Sequence, residues 1–455
     1  MAANLGAKSL ASVHHEGLDE ILSALAHSYP DHPSHDTHSV GVPLLDALLE
    51  IFAPRASAAS SEAIIPEERQ YHIALGLDRS VGQQALEDEE MLLRDEVPAD
   101  HVYGHDKSQM DIDPSGNLLF SDTNSTRKQK VPIVEISSSL SASGKSQFLY
   151  YLTALAILPR QNGDISTGGQ EAAVVFIDTD DRFDAERLRT VARGIILRQR
   201  RQFDPNARVQ SEGTVDHDLE SLLASALQHV HVFRPQSSSA LLATVNMLDS
   251  YLFDLSRHRS ASRPLQMIAI DSATAFLSQD RLRDEVARTK EIGRPRADVD
   301  QEREQKQSFH LSDLYNEMAT GLKRLQNLFQ CAIVYTTTIS GNRVPGPDQY
   351  DEPQLRIPSL RPVLPVPWGT LPTLRLIVHR ASVRPFPPSM AAQAALKDAP
   401  SRQSVVQQGK ISVWVNPWGR DAWSRQIVEA IEATNGGSFS FYVRDSGVEM
   451  TDPDN

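Results

Sequence analysis

The chain has 455 residues and a formal charge of −14 at pH 7, with 40% hydrophobic and 23% charged residues. These fractions support a buried core and exclude a collagen-like or wholly disordered chain. One cysteine, Cys331, excludes a disulfide scaffold and a cysteine-based zinc site, and it suits a reducing compartment. No apolar run approaches the ~18 residues of a membrane span, and the first residues lack the apolar centre of a secretory signal.

The charge is concentrated at one end. Residues 1–130 hold 22 acidic side chains against 9 lysines and arginines, and 9 of the 15 histidines. Residues 131–455 hold 37 acids against 36 bases, so the body of the chain is nearly neutral. An acidic, largely flexible extension over 1–130, followed by a neutral core over 131–455, is the expected domain organisation. His14, His15, His27, His32, His35 and His38 are spaced too irregularly for a metal site, which makes disorder the better reading of that stretch.

Within the extension, Pro43 and the leucines at 44, 45, 48 and 49 predict one amphipathic helix near 43–52. From Val131 onward, short apolar runs alternate with helical patterns, the signature of βαβ units and a parallel sheet. Strands are expected at 131–136, 172–178, 230–233, 267–271 and 331–336, and then near 373–379, 411–415 and 438–443. Helices are expected at 147–158, 184–201 and 311–329, with one capped by Ser237–Ser239 and running to about Leu255. The segments near 278–309, 340–372 and 385–408 read as insertions: charged, Pro-rich and Ala/Pro/Gln-rich in turn.

Ser139–Ser146 (SLSASGKS) differs by one residue from the phosphate-loop pattern G-x-x-x-x-G-K-[ST]. The ATP-binding residues are expected to be Ser139, Ser141, Ala142, Ser143, Gly144, Lys145, Ser146 and Gln147, and the backbone N–H groups of this loop would cradle phosphates at a helix N-terminus. Lys145 would reach the β- and γ-phosphates, and the Ser146 hydroxyl would ligate Mg²⁺. The bland reading is a polar turn capping the next helix; the strand before and the helix after favour ATP with Mg²⁺. The departure is Ser139 at the first glycine position. If that position requires φ > 0, serine costs about 1 kcal/mol or more and reshapes the loop.

Two further strands end in aspartate, at FIDTDDRF (176–183) and MIAIDSATAF (267–276). The carboxyl end of a buried parallel strand faces the crevice where α/β sheets bind ligands. Asp271 is therefore placed as the Mg²⁺ partner of Ser146, and Asp180 as a residue that polarises a water on the γ-phosphate. For both, the competing reading is a cap on the following helix, and for Asp180 the two readings are nearly balanced.

SLSASGKS, FIDTDDRF, MIAIDSATAF and IVYTTT, in that order, resemble the ATPase core of RecA-type recombinases. The helix FLYYLTALAILP, the segment FIDTDDRFD and the tail FSFYVRDSGVEM (439–450) are typical of the recombinase-paralogue branch. The resemblance spans roughly 131–450, and 38–52 resembles a short helix ahead of the core. It implies a RecA-like α/β core with a mostly parallel central sheet flanked by helices. It also implies a nuclear protein of homologous-recombination repair. Such a protein acts with other recombinase paralogues and assists the main recombinase on single-stranded or branched DNA. Asp180 stands where active recombinases carry a water-activating glutamate, and Thr338 where they often keep a γ-phosphate-sensing glutamine. Both departures imply a bound ATP that is hydrolysed slowly.

The loops that face DNA in such cores correspond to 278–309 and 340–372. The first reads as a solvated insertion, and the second equally as a stiff linker or a DNA loop. A denser run of cations, Arg187, Arg189, Arg193, Arg198, Arg200 and Arg201, crowds one helix. It reads equally as a phosphate-binding face and as a solvated or partner-facing one. An active DNA-stimulated ATPase remains the alternative. A small-molecule kinase is less consistent, because no Arg-rich lid is found.

Overall fold

The computed structural model describes residues 40–52, 131–203, 217–305, 309–339, 359–381, 383, 386–387 and 389–451. All of these belong to one compact unit. The histidine-rich start, the acidic segment before Val131 and residues 340–358 lie outside the described residues.

Nine strands form one sheet: β1 (Ile133–Ser138), β2 (Ala173–Asp178), β3 (Val230–Phe233), β4 (Leu265–Asp271), β5 (Ala332–Thr338), β6 (Leu374–Arg380), β7 (Lys410–Val415), β8 (Phe439–Arg444) and β9 (Gly447–Met450). Their spatial order is β9-β8-β7-β6-β1-β5-β4-β2-β3. The six strands from β6 to β3 pair in parallel, whereas β7, β8 and β9 add an antiparallel edge. The expected RecA-like architecture, a mostly parallel central sheet flanked by helices, is what the chain adopts.

β1, β2 and β4 are buried along their whole length, and β2 and β4 accordingly read as almost continuous apolar runs, whereas β1 buries Glu135 among its apolar residues. Alternation along each strand divides the core in two. Val134, Ile136, Val174, Phe176, Met267 and Ala269 face one cluster. Ile133, Val175, Ile177, Ile268 and Ile270 face the other. The first cluster is covered by α1 (Pro43–Phe52), α2 (Lys145–Ile157), α3 (Ala185–Phe203) and α4 (His217–Leu227). The second is covered by α5 (Ser238–Phe253) and α8 (Leu311–Phe329). α5 is capped as expected, with Ser237 Oγ accepting from the Ala240 N–H at 3.1 Å.

Several elements differ from the sequence reading. The charged run 278–309 is largely helical, as α6 (Leu277–Glu291) and α7 (Arg296–Glu304), and most of 385–408 is α9 (Ala392–Gln408). α10 (Arg425–Ala433) and α4 were not anticipated. The tail over 439–450 is two strands joined by a turn at Asp445–Ser446. α1 packs with α10 and β6 and buries Leu45, Leu48 and Leu49, so this helix belongs to the compact unit of the core.

The backbone at the phosphate loop also differs from expectation. Six described non-glycine residues have positive φ, and Ser139 is not among them. The left-handed residues of the loop are Ala142 (φ 56°) and Gly144 (φ 97°). The serine is therefore unstrained, and the conformational cost falls three residues later, on an alanine.

Two stability measurements follow. Leu45→Ala removes a fully buried side chain that joins α1 to the core, and chemical denaturation should show a loss of about 2–5 kcal/mol. Ser139→Gly should gain nothing and lose about 0.5–1 kcal/mol to the freer unfolded chain. Ala142→Gly should hold or raise stability by relieving the left-handed alanine. The reverse ranking would return the strain to Ser139.

Candidate nucleotide site

β1 ends at Ser138 in the middle of the sheet, and the chain turns into α2 within the next six residues. Gly144 is the residue before α2, and no side chain caps the helix there. The first-turn N–H groups of α2 are thus left for a ligand, and the positive end of the helix dipole faces the same way. Gly144 has φ 97°, a left-handed conformation that strains any other residue, and a Cβ there would also require Ile411 Cδ1 of β7 to shift.

Lys145 Nζ folds back over the loop. It donates to Ser138 Oγ at 2.6 Å, and more loosely to the Leu140 carbonyl and Ser143 Oγ, both at 3.4 Å. Burial pulls the ammonium below the usual lysine range, while the carboxylates of Asp271 and Asp180 push the other way.

Asp271 ends β4 and is buried. Thr336 Oγ1 donates to its Oδ1 at 2.8 Å, and the Ser146 hydroxyl is a second hydrogen-bond partner. Burial raises the Asp271 carboxyl above the usual range against the pull of these two hydroxyls, and Asp180 and Asp178 raise it further. A desolvated carboxylate beside a serine hydroxyl is an oxygen donor set that suits a hard divalent cation. Ser146 and Asp271 therefore fit Mg²⁺, which would neutralise charge developing on bound phosphates.

Thr336 was not singled out from the sequence. Its hydroxyl also accepts the Ser272 N–H at 2.6 Å, which fixes the turn after β4. Thr179 Oγ1 donates to the carbonyls of Asp271 (2.6 Å) and Ser272 (2.7 Å), holding the ends of β2 and β4 together.

The loop after β2 separates the two roles that were in balance for Asp180. Asp178 is buried and ties down the loop itself, accepting the N–H groups of Arg182 (3.1 Å) and Phe183 (2.7 Å) ahead of α3. Asp180 is exposed and lines the cavity. Asp184 caps α3, with Oδ1 accepting from the N–H groups of Glu186 and Arg187.

One cavity of about 600 Å³ collects these groups. The phosphate-loop residues Ser141–Gln147, Asp180, Asp271, Thr336 and Thr338 all line it. Ser139 does not. Also on its wall, and not anticipated, are Arg182, Arg380, Arg444 and Asp445, with the apolar faces of Ile411 and Val443. Arg182 lay within a quoted motif; Arg380 and the C-terminal residues carried no local signal. No side-chain partner is found for Arg182 or Arg380 among the described residues, so both guanidinium groups are available to an anion.

The arginine-rich helix, by contrast, is largely engaged within the fold. Arg189 pairs with Glu186 (2.7 Å) and Glu220 (2.5 Å), Arg193 approaches Glu220 at 3.8 Å, and Arg198 meets Glu449 at 3.3 Å. Arg187 is hydrogen-bonded to Gln147 and to three backbone carbonyls. Arg200 also has a partner, and Arg201 is exposed near the end of α3. Exposed pairs of this kind contribute only about 0–1 kcal/mol each, yet they cancel much of the positive field the sequence suggests.

No family model matches the chain. Among curated proteins it is similar to the DNA repair and recombination protein RadA of Haloquadratum walsbyi, 28% identical over 210 residues, 46% of this chain and 51% of that one. The RadA protein of Halobacterium salinarum is 26% identical over 201 residues, 44% of this chain and 50% of the relative. The DNA repair protein XRCC2 of Mus musculus is 31% identical over 141 residues, 31% of this chain and 39% of the mouse protein. The chain thus spans about half the length, or less, of these relatives. The resemblance drawn from the motifs holds in them: the homologues of this chain are RadA recombinases and mouse XRCC2, at low identity over about half the chain or less.

Proposed function

We propose that the chain binds ATP with Mg²⁺ and serves homologous-recombination DNA repair in the nucleus as a recombinase paralogue. It would work within a paralogue complex that assists the main recombinase on single-stranded or branched DNA. The observation that carries the nucleotide reading is convergence. Lys145, the uncapped start of α2, the Ser146–Asp271 pair and the guanidinium groups of Arg182 and Arg380, without side-chain partners among the described residues, share one cavity. The repair role rests on the RadA and XRCC2 relatives.

Each residue has a task in this reading. The loop N–H groups and Lys145 hold the phosphates, Arg182 and Arg380 add charge that matches a triphosphate, and Ser146 and Asp271 hold the cation. Asp180 orients a water, with a side chain one methylene shorter than glutamate, so hydrolysis is slow and ATP acts chiefly as a structural or switching ligand. Thr338, at the end of β5, would relay the state of the γ-phosphate. DNA is contacted through the assembly, because the arginines of α3 are mostly paired and the core carries no broad positive field.

Calorimetric titration tests the nucleotide reading. The unsubstituted protein should bind ATP with Mg²⁺ and Lys145→Ala should not, while co-purification with partner paralogues should survive that substitution. Asp180→Glu should speed ATP turnover by about tenfold or more by restoring the reach of the base. Brisk turnover on single-stranded DNA by the unsubstituted protein, lost together with repair in Lys145→Ala, would favour the active-ATPase alternative.

A further inference from the structure

The wall of the cavity formed by the C-terminal hairpin is seated on the core, where β8 buries Phe441 and β9 buries Val448 and pairs Glu449 with Arg198 of α3. Among the described strands β9 lies at the sheet edge and pairs with β8 alone. The turn between them is also tied to α3, and through α3 to the phosphate-binding helix, by the Arg187 guanidinium. Arg187 Nε donates to Gln147 Oε1 at 2.8 Å. Its Nη1 donates to the Asp445 carbonyl at 3.2 Å, and its Nη2 to the carbonyls of Arg444 (2.9 Å) and Gly447 (3.4 Å). Gln147 stands two residues beyond Lys145, in the first turn of α2.

A second, independent feature fixes the same contact. α3 meets the turn backbone to backbone, and a Cβ on Gly194 would lie 2.5 Å from the Ser446 carbonyl oxygen. The turn therefore sits directly on α3, with no side chain between them at this point.

The lining of the cavity changes character along this wall. Phosphates need the N–H groups and cations of the loop, whereas on the hairpin side Ile411 and Val443 offer apolar contact, and Arg444 and Asp445 polar contact, suited to a nucleobase and ribose. We propose that Arg187 is a positioning residue: it clasps the β8–β9 turn to the phosphate-binding helix, so that the hairpin forms the wall against the base and ribose of a bound nucleotide. This rests on the nucleotide reading above and gives Arg187 a role other than DNA contact. Four of its five N–H donors are used in these bonds, and lysine, with one compact ammonium, cannot span a side-chain amide and three carbonyls at once.

The test compares two ligands that share phosphates but differ in the base: ATP and inorganic tripolyphosphate, each with Mg²⁺, titrated into the full chain. Arg187→Ala and Gly194→Ala should each weaken ATP by about tenfold or more while leaving tripolyphosphate within about twofold. Arg187→Lys should behave like Arg187→Ala, and it serves in its place if the alanine variant does not fold. Lys145→Ala should lose both ligands. The proposal is overturned if the Arg187 variants weaken both ligands equally, if they weaken neither, or if lysine restores full ATP affinity. Absence of binding of either ligand by the unsubstituted protein would overturn the nucleotide reading, and this inference with it.

Discussion

The site depends on one close approach. β1, buried on both faces, delivers the chain to the centre of the sheet at Ser138, and α2 must start within a few residues. At Gly144 the backbone takes φ 97° and packs against the Ile411 side chain, so that a Cβ would be strained and would push Ile411 aside. Ile411 belongs to the antiparallel part of the sheet, more than 260 residues along the chain. The loop that would hold phosphates is thus packed against the strands that lead to the outer wall of the cavity. A change at this contact would move both ends of the site together.

Charge is organised around that junction with little waste. Burial disfavours the ammonium of Lys145 and the carboxylate of Asp271 alike, and each is left incompletely compensated within the chain. Groups in that condition gain from a ligand that brings the opposite charges, here phosphate oxygens and a divalent cation. The arginines of α3 show the contrary arrangement. Glu186, Glu220 and Glu449 are set against them, and Arg187 is spent on backbone carbonyls. The run of arginines on this helix is thus largely paired within the fold, with Arg201 left exposed near its end.

What could be read from the sequence follows from how local each signal is. β2 and β4 were legible because both faces are buried and the runs are almost wholly apolar. α8 was legible to the residue because its apolar stripe is clear and Leu311 opens it. α6 and α7 were missed because their composition is charged and they bury few side chains, so they resemble a solvated insertion. α9 contains Pro400 and buries none of its described side chains, which hides a helix from any pattern of burial. Within the site, the loop lysine, Ser146 and Asp271 belong to contiguous motifs. Thr336, Arg380 and the hairpin residues are joined to them only by strand order, and the strain assigned to Ser139 falls on Ala142 because the loop bends later than its motif implies.

The central claim is that the loop after β1 and the hairpin of β8 and β9 are two walls of one nucleotide site. Amide hydrogen exchange of the full chain, measured with and without ATP and Mg²⁺, addresses it directly. Protection should rise together over 141–147 and 443–447, with the far edge strand β3 unchanged. Protection confined to other segments, or none at saturating nucleotide, would contradict the account.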